Sequence, residues 1–222
     1  MSGIAHDYME KYLRNLIEEN DEPLKGMEEY SEENHVPIVQ QEVANFLKVM
    51  VTMKKPKKIL ELGTAIGYSS ILMCKELNKQ CEIVTIDRND EMVKIAQENI
   101  EKYGYSENIT IIHEECLEAL EKLSESQKGE YDFIFMDAGK GHYNHFLPFC
   151  LELLKDDGII ISDNVLFRGM VATDDLVKRR KITIVKRMRK YLEMISKDKN
   201  LLTTIIPMGD GIAITTRRDS SV

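Results

Sequence analysis

Long apolar runs are missing from this sequence, and none approaches the roughly 18 residues that a membrane-spanning helix needs. The N-terminal stretch MSGIAHDYMEKYLRNLIEEN is charged and patterned like a helix, without the apolar centre of a signal peptide. These absences argue against a membrane protein and against a secreted one. We therefore expect a protein of the cytoplasm.

Cysteine is also scarce. The four that are present, Cys74, Cys81, Cys116 and Cys150, form no C-x-x-C pair. Their spacing signals neither a zinc site nor a disulfide framework. Reduced thiols are the expectation.

An overall positive charge is lacking as well, since the formal net charge is −8. This balance argues against indiscriminate binding of polyanions, although a local basic face can exist on an acidic protein. The 222 residues, 43% of them hydrophobic and 31% charged, suit a single domain. We expect one domain over residues 1–222, with residues 1–55 as an N-terminal helical extension.

Hydrophobic periodicity predicts an α/β fold. Residues 4–19 (Ile4, Tyr8, Tyr12 and Leu16) and 38–53 have helical spacing, and a long helix is predicted over 173–197. Short β-rich runs alternate with helical segments, which predicts a mostly parallel sheet with helices on both faces. Two further β runs flank Pro207–Gly211 and predict a C-terminal antiparallel hairpin, for seven strands in all. The five earlier strands are predicted at 58–62, 82–86, 109–112, 131–136 and 158–162.

The first strand runs into the turn ELGTAIGYSS, which contains Glu61, Gly63 and Gly67. Glycine at a strand-to-helix turn lets the backbone approach a ligand, whose charge can meet the N–H groups of the next helix. The spacing is E-x-G-x-x-x-G and not the G-x-G-x-x-G of dinucleotide folds, and a purely structural turn is an open alternative. Asp87 ends the second strand, 24 residues after Gly63, where a carboxylate can accept from ribose hydroxyls. Together these features favour an adenosine cofactor.

Oxygen-bearing side chains end two other strands. Asp137 follows YDFIFM, and Asp163 with Asn164 follows GIIIS. If the fourth and fifth strands are neighbours, the three side chains converge on one rim, and such hard oxygen ligands suit Mg²⁺. The alternative for Asp163 and Asn164 is a helix cap or a turn.

The blocks ILELGTAIGYSS, TIDRN, FIFMDAGKGHY, SDNVL and PMGDGIAIT together resemble the class I, metal-dependent O-methyltransferases that use S-adenosylmethionine, the catechol and caffeoyl-coenzyme A group. The resemblance covers nearly the whole chain and implies a Rossmann-like methyltransferase fold. It implies Mg²⁺ at Asp137, Asp163 and Asn164, and homodimers, which are common among the relatives. Cofactor contacts would come from Val39, Glu61, Gly63, Ser69, Asp87, Glu115, Cys116 and Asp137.

Within that set, Gly63 and Ser69 would line the methionine end of the cofactor, Asp87 its ribose, and the Glu115–Cys116 step its adenine. Val39 would fold over the cofactor from the N-terminal extension. Glu115 stands where relatives have aspartate, and Cys116 where they often have alanine. For Cys116 we favour a small packing residue over thiol chemistry.

Lys140, three residues after Asp137, matches the catalytic lysine of the family. Methyl transfer needs an oxygen nucleophile, and a lysine beside it can take the proton as a neutral amine or stabilise the deprotonated oxygen as an ammonium group. The alternative is a solvated loop lysine. Gly139 and Gly141 beside it would allow a substrate to approach closely.

The segment KRRKITIVKRMRK, residues 178–190, carries eight basic residues and no acidic one. A solvated helix face is the usual explanation, but the missing acids favour a polyanion partner, with Arg168 beside it. The segments HVPI, DNVLFRGMVA, KRRKITIVKRM and IIPMGDGIAI are similar to those of bacterial tRNA 5-hydroxyuridine methyltransferases. This resemblance implies tRNA as substrate, methylated at the wobble position, with Arg168, Arg179 and Arg180 on anticodon-loop phosphates.

Three other functions remain open at this point. An O-methyltransferase of small catechol-like or hydroxycinnamoyl substrates needs no basic rim. A non-catalytic RNA-binding module would not need Asp137, Lys140, Asp163 and Asn164 together. A nicotinamide dehydrogenase is disfavoured by the missing G-x-G-x-x-G motif.

Overall fold

The structure, a computed structural model, describes residues 6–218. Its helices are α1 (Asp7–Arg14), α2 (Leu24–Asn34), α3 (Gln41–Lys54), α4 (Tyr68–Glu76), α5 (Asp90–Lys102), α6 (Cys116–Ser126), α7 (Tyr143–Leu153) and α8 (Ile182–Lys197). Its strands are β1 (Lys58–Leu62), β2 (Glu82–Asp87), β3 (Ile109–His113), β4 (Tyr131–Met136), β5 (Leu154–Ser162), β6 (Leu201–Ile206) and β7 (Ile212–Arg217). Three short 3-10 turns, Phe167–Gly169, Asp174–Leu176 and Arg179–Lys181, precede α8.

The strands form one seven-stranded sheet in the order β3-β2-β1-β4-β5-β7-β6. Strands β1 to β5 are parallel, and β7 runs antiparallel to both β5 and β6. The Rossmann-like α/β fold, the mostly parallel sheet and the C-terminal hairpin are thereby confirmed. The β5 strand begins at Leu154, earlier than the predicted 158, because Leu154 pairs with Tyr131 across a register shift.

The sheet is buried on both faces, which explains why its central strands read as nearly continuous apolar runs. Side chains such as Ile59 and Phe133 face one helical layer, while Leu60 and Ile134 face the other. The chain order reverses between β1 and β4, so the loops after these two strands diverge and leave a crevice at their carboxyl ends. No helix within residues 6–218 is long and apolar enough to cross a bilayer.

The N-terminal helix is shorter than the predicted 4–19. Ile4 lies outside the described residues, and α1 ends at Arg14. The side chains of Tyr8, Tyr12 and Leu16, which the periodicity aligned, are 69%, 60% and 65% exposed. A helix whose apolar side has no partner gains little from packing, so it ends after two turns.

The predicted helix over 173–197 was wrong at its start, because α8 begins only at Ile182. Thr173 caps a separate 3-10 turn by accepting a hydrogen bond from the Asp175 amide. Four consecutive basic residues, 178–181, then follow, and positive charge at a helix N-terminus opposes the helix dipole. The segment before Ile182 therefore crosses the surface as short turns.

Candidate active site

A cavity of about 1410 Å³ lies at the carboxyl ends of β1, β2 and β4, where the strand order reverses. The glycine loop after β1 and the loops after β2, β3, β4 and β5 form its floor and one wall. The segment from α2 to the start of α3 forms the opposite wall. Predicted site residues that line the cavity are Val39, Gly63, Asp87, Glu115, Cys116, Asp137, Lys140, Asp163 and Asn164.

Gly63 is the point of closest approach between two loops. Its φ of 103° is unfavourable for a side chain, and a Cβ there would lie 2.8 Å from the Asp137 carbonyl oxygen. Gly67, with φ 84°, precedes α4 and turns the chain into that helix. The glycines thus bring the first loop directly against the loop that carries Asp137.

Glu61 lies beneath this loop, and among the described residues neither Glu61 nor Ser69 lines the cavity. The buried Glu61 carboxylate accepts hydrogen bonds from Ser69 Oγ at 2.5 Å, from Thr85 Oγ1 at 2.6 Å and from Ser70 Oγ. Burial raises the pKa of Glu61, and the three hydroxyl groups oppose that rise. Glu61 and Ser69 therefore brace the glycine loop from below.

The Asp87 carboxylate holds the same loop from the side. It accepts from the amides of Thr64 at 3.1 Å and Ala65 at 3.0 Å, and from the Asn89 amide at 3.0 Å. A carboxylate offers about four acceptor positions. Most of the capacity of Asp87 is used within the protein, which leaves little for the predicted ribose contact.

At the predicted adenine end, Glu115 forms an ion pair with Arg88 at 2.7 Å across the cavity wall. Cys116 lies next to it, and burial raises the pKa of its thiol to about 12. A thiol with such a pKa is protonated at neutral pH and weakly reactive, in agreement with a packing role. Val39 is buried and closes the cavity from the N-terminal side.

Asp137, Asp163 and Asn164 come together as predicted, because β4 and β5 are neighbours and Met136 pairs with Ser162. Asn164 Nδ2 donates to Asp137 Oδ1 at 3.0 Å, and the Asn164 amide donates to Asp163 Oδ1 at 2.5 Å. Burial raises the pKa of Asp137 to about 6. Burial and the nearby charge of Asp137 raise the pKa of Asp163 well above its ordinary range.

This trio fits a hard divalent cation. Asp163 is buried and Asp137 is half-buried, so their carboxylates repel each other with little solvent between them, and a cation there would relieve both costs. Their oxygens, with the amide oxygen of Asn164, are of the type that Mg²⁺ prefers. Within residues 6–218 no group of three or more His, Cys, Asp and Glu side chains could hold a metal ion. The trio has only two side chains of those types.

Lys140 lies on the loop between β4 and α7, at the same end of the cavity. The charge of its ammonium group opposes the rise in the pKa of both Asp137 and Asp163. The loop is supported by α8, since Arg187 Nη1 donates to the Gly141 carbonyl at 3.2 Å. Lys140 therefore lines the cavity, is partly exposed, and acts electrostatically on both carboxylates, and its catalytic role stays a prediction.

The basic segment 178–190 divides into two groups. Arg187 and Arg189 are half-buried and hold the structure together: Arg189 donates to the Val171 carbonyl at 2.9 Å and pairs with Asp174 at 2.7 Å. The other basic residues of the segment are exposed. They are Lys178, Arg179, Arg180, Lys181, Lys186 and Lys190. Only part of the run is therefore available to a partner.

Comparison with known proteins decides the family. A sequence model described as O-methyltransferase matches residues 14–218. The chain belongs to the O-methyltransferase family. The chain is similar to a catechol O-methyltransferase of Niastella koreensis, with 27% identity over 94% of this chain and 93% of the relative. A caffeoyl-CoA O-methyltransferase of Populus kitakamiensis is 30% identical over 78% of this chain and 74% of its own.

Solved structures agree with this family. The crystal structure of a Staphylococcus aureus protein superposes on this fold with a TM-score of 0.86. The two sequences are 33% identical, and the match covers 96% of this chain and 100% of the Staphylococcus chain. A Podospora anserina methyltransferase solved with S-adenosylhomocysteine has a TM-score of 0.85 at 24% identity, covering 96% and 95%. The second likeness concerns the fold alone.

Several cavity residues of this O-methyltransferase family member were not singled out from the sequence. They are Tyr30, Asn34 and His35 from α2 and its end, Arg88 after β2, and Phe146 in the first turn of α7. Of these residues only Arg88 could have been predicted from the sequence, because it directly follows Asp87, the predicted ribose ligand. The α2 residues reach the cavity through tertiary packing, which periodicity does not encode.

Proposed function

We propose that this protein is an S-adenosylmethionine-dependent, Mg²⁺-dependent O-methyltransferase that acts in the cytoplasm on the 5-hydroxyl of 5-hydroxyuridine at the tRNA wobble position. The product would be 5-methoxyuridine. One observation supports tRNA as the substrate. The exposed basic residues 178–181 directly precede α8, and the first turns of α8 contact the loop that carries Lys140. Ile184 of α8 lies 3.4 Å from a Cβ built on Gly141.

The cofactor proposal is supported by the cavity and by the family. The glycine loop leaves no room for a side chain at Gly63, and the cavity is continuous from Arg88 and Glu115 to Asp163. We propose that the sulfonium methyl group lies near Asp137 and that the adenine lies between Cys116 and the Arg88–Glu115 pair. Glu61 and Ser69 act indirectly, by holding the loop.

For the reaction, we propose that Asp137, Asp163 and Asn164 hold Mg²⁺. When bound, the ion lowers the pKa of a coordinated hydroxyl and orients two adjacent substrate oxygens. The 5-hydroxyl and the 4-carbonyl of the modified base form such a pair. The neutral amine of Lys140 would accept the proton of the hydroxyl, so that the oxygen can attack the methyl carbon. The bond from the sulfonium to that carbon would break as the new oxygen–carbon bond forms, and S-adenosylhomocysteine would leave. An exposed anticodon base can enter the cavity without opening a duplex.

We propose that the anticodon-loop phosphates bind Arg179 and Arg180, with Arg168 on the same rim. All three side chains are exposed. Lys181, next to Arg180, has its Nζ 5.9 Å from the centre of the Phe167 ring, so the 178–181 segment contacts the turn that carries Arg168. Phosphate contacts of this kind provide affinity and register but no sequence specificity.

Replacing Arg179 and Arg180 together by glutamine should raise the KM for 5-hydroxyuridine-containing tRNA about tenfold or more. Because two phosphate contacts are lost, the slope of log KM against log salt should fall by about 1.5. The dissociation constant of S-adenosylmethionine should not change. The measurement is steady-state methylation at several salt concentrations.

The matched control is the Lys186→Gln/Lys190→Gln variant, which loses the same charge from exposed positions farther along α8. It should keep most of the wild-type activity and salt slope. Equal losses in both double variants would mean that net charge alone matters. Unchanged tRNA methylation in the Arg179/Arg180 variant would contradict the basic rim.

The second candidate is an O-methyltransferase of small catechol-like or hydroxycinnamoyl substrates, which is favoured by the names of the relatives in the family. It uses the same cofactor, metal site and lysine. It predicts turnover of a free catechol that is comparable with the best substrate and insensitive to the Arg179/Arg180 substitutions.

We further propose that a second copy of the chain covers the outer face of α1. Tyr8, Tyr12, Leu13 and Leu16 are large apolar residues that are about half or more exposed on this short helix and just after it. The other side of α1 is fixed to α3 by Arg14, which donates to both carboxylate oxygens of Glu42 at 2.7 and 2.8 Å. The helix is thus held in place while presenting an uncovered apolar surface.

Replacing Tyr12 and Leu16 by glutamate should convert a homodimer into a monomer, because it places charges in the proposed apolar interface. Light scattering after size-exclusion chromatography measures the mass. The control is Val49→Glu/Met53→Glu on α3, which changes exposed apolar residues outside the α1 face. A wild-type monomer, or an α1 variant that stays dimeric, would refute this interface.

A further inference from the structure

The segment that follows β5 has several residues with positive φ. It begins at Asn164, one of the proposed metal ligands. Asn164, Phe167 and Arg168 have φ values of 60°, 46° and 55°. A residue with a Cβ is unfavourable in this left-handed region, and such residues persist only where the surroundings enforce them. Asparagine adopts this region readily, but Phe167 and Arg168 in succession require a support from elsewhere in the fold.

That support is the turn between β6 and β7. The Val165 amide donates to the Gly211 carbonyl at 3.0 Å, and the Leu166 amide donates to the Asp210 carbonyl at 2.9 Å. The Arg168 amide donates to the side-chain oxygen Oδ1 of Asp210. The turn therefore holds the segment at Val165, Leu166 and Arg168, and the bond between Arg168 and Asp210 spans 42 residues of sequence.

The packing of this turn also depends on a residue without a side chain. Gly211 has φ 91°, and a Cβ at this position would lie 2.8 Å from Leu166 Cβ. The backbone of the turn can thus approach the segment closely enough for its carbonyl groups to accept the two amides. The turn at Gly211 thus packs directly against the Leu166 side chain, with no space for a side chain of its own.

Asp210 is a costly residue for this purpose, since its side chain is only 7% exposed. Burial raises the pKa of Asp210, while the bond from the Arg168 amide and the charges of Lys140 and Arg168 oppose that rise. A buried carboxylate that accepts a main-chain N–H makes a stronger hydrogen bond than a neutral acceptor would.

We propose that Asp210 is a positioning residue, which locks Phe167 and Arg168 in the left-handed conformation and so fixes where the Arg168 side chain meets the substrate. The locked segment begins at Asn164, so the clamp also sets the distance between the metal-binding pair and the substrate rim. The identity of the substrate rests on the proposed function, whereas the clamp does not.

The backbone part of the proposal is tested by stability alone. At a left-handed position glycine is preferred over alanine, and at an ordinary helical or extended position alanine is preferred. With Asp210 present, Arg168→Gly should therefore unfold about 2–4 °C above Arg168→Ala. In the Asp210→Ala background residue 168 is free to relax, and this order should disappear or reverse. The same order in both backgrounds would overturn the clamp.

The functional part is tested by kinetics with 5-hydroxyuridine-containing tRNA. Asp210→Ala should raise KM about tenfold, with a small change in kcat and none in the dissociation constant of S-adenosylmethionine. Asp210→Asn keeps an oxygen acceptor for the Arg168 amide, so its KM should lie close to wild type. A merely structural role would lower the active fraction and kcat in both variants and leave KM unchanged, which would contradict the proposal.

The two proposals fail in different ways. If wild-type enzyme methylates free catechol and not the tRNA, the tRNA function fails, and the Gly/Ala comparison still decides whether Asp210 locks the segment. If wild-type enzyme methylates the tRNA and Asp210→Ala has wild-type KM, the tRNA function stands and the positioning role falls.

Discussion

Replacing Lys140 by methionine is expected to lower kcat for methyl transfer by about 10²–10⁴, the usual contribution of a general acid–base group. Methionine keeps much of the apolar stem but cannot hold or accept the proton of the substrate hydroxyl. The dissociation constant of S-adenosylmethionine should change little, because the proposed cofactor contacts lie on other loops. Single-turnover transfer of a labelled methyl group measures the chemical step directly.

The Lys140→Arg variant separates the two roles of the ammonium group. Arginine keeps a positive charge near Asp137 and Asp163 but does not release a proton in the accessible pH range. A loss as large as that of the methionine variant indicates proton transfer, and recovery of activity indicates charge stabilisation. A methionine variant with wild-type kcat would show that Lys140 takes no part in the reaction.

The second large effect is expected for Asp163→Asn, which should lower kcat/KM at a fixed Mg²⁺ concentration roughly a thousandfold, or about 4 kcal/mol. The substitution keeps the shape of the side chain and removes the charge that would bind the ion. Calorimetric titration of Mg²⁺ into wild type and variant provides a measurement that does not depend on turnover.

The same variant should be more stable than wild type when a chelator is present. The pKa of Asp163 is raised in the folded protein, so ionisation of this carboxyl costs stability. The cost is full at pH values above the folded pKa, and it declines to zero as pH falls from there toward the unfolded pKa of about 3.9. Asp163→Asn should therefore raise the melting temperature at pH 8, and the difference should shrink on acidification. Added Mg²⁺ should stabilise wild type only. Equal Mg²⁺ binding by both proteins would contradict the metal assignment.

The sheet and the metal-type rim were predictable from the sequence because both depend on local patterns. Strands that are buried on both faces read as apolar runs, and a parallel sheet places their carboxyl ends together. The apolar runs place Asp137, Asp163 and Asn164 at strand ends, and the pairing of β4 with β5 in the structure brings the three side chains together. The strand bounds of β1 and β4 are confirmed without any shift.

The contacts that brace the site could not be predicted in the same way. Asp210 reaches Arg168 across 42 residues, and Arg88 reaches Glu115 across 27. Neither pair follows a helical or strand period, so only the tertiary arrangement identifies it. The capacity of Asp87 to hold the Thr64 and Ala65 amides was hidden for the same reason, because it depends on the turn that follows another strand.

The predicted helix bounds were wrong where residues with helical periodicity do not pack against another element. The aligned apolar residues of α1 are largely exposed, and the segment before α8 is interrupted by a capped turn and a run of like charges. In both places the periodicity was real but the stabilising contact was missing. Because α8 is shorter than predicted, residues 178–181 form an exposed segment just before the helix.

The most direct test is transfer of a labelled methyl group from S-adenosylmethionine to tRNA that carries 5-hydroxyuridine, with Mg²⁺ or with a chelator. Unmodified tRNA and free catechol serve as parallel substrates. We expect chelator-sensitive labelling that is confined to the hydroxylated tRNA. Labelling of catechol alone would preserve the methyltransferase chemistry and contradict the tRNA substrate.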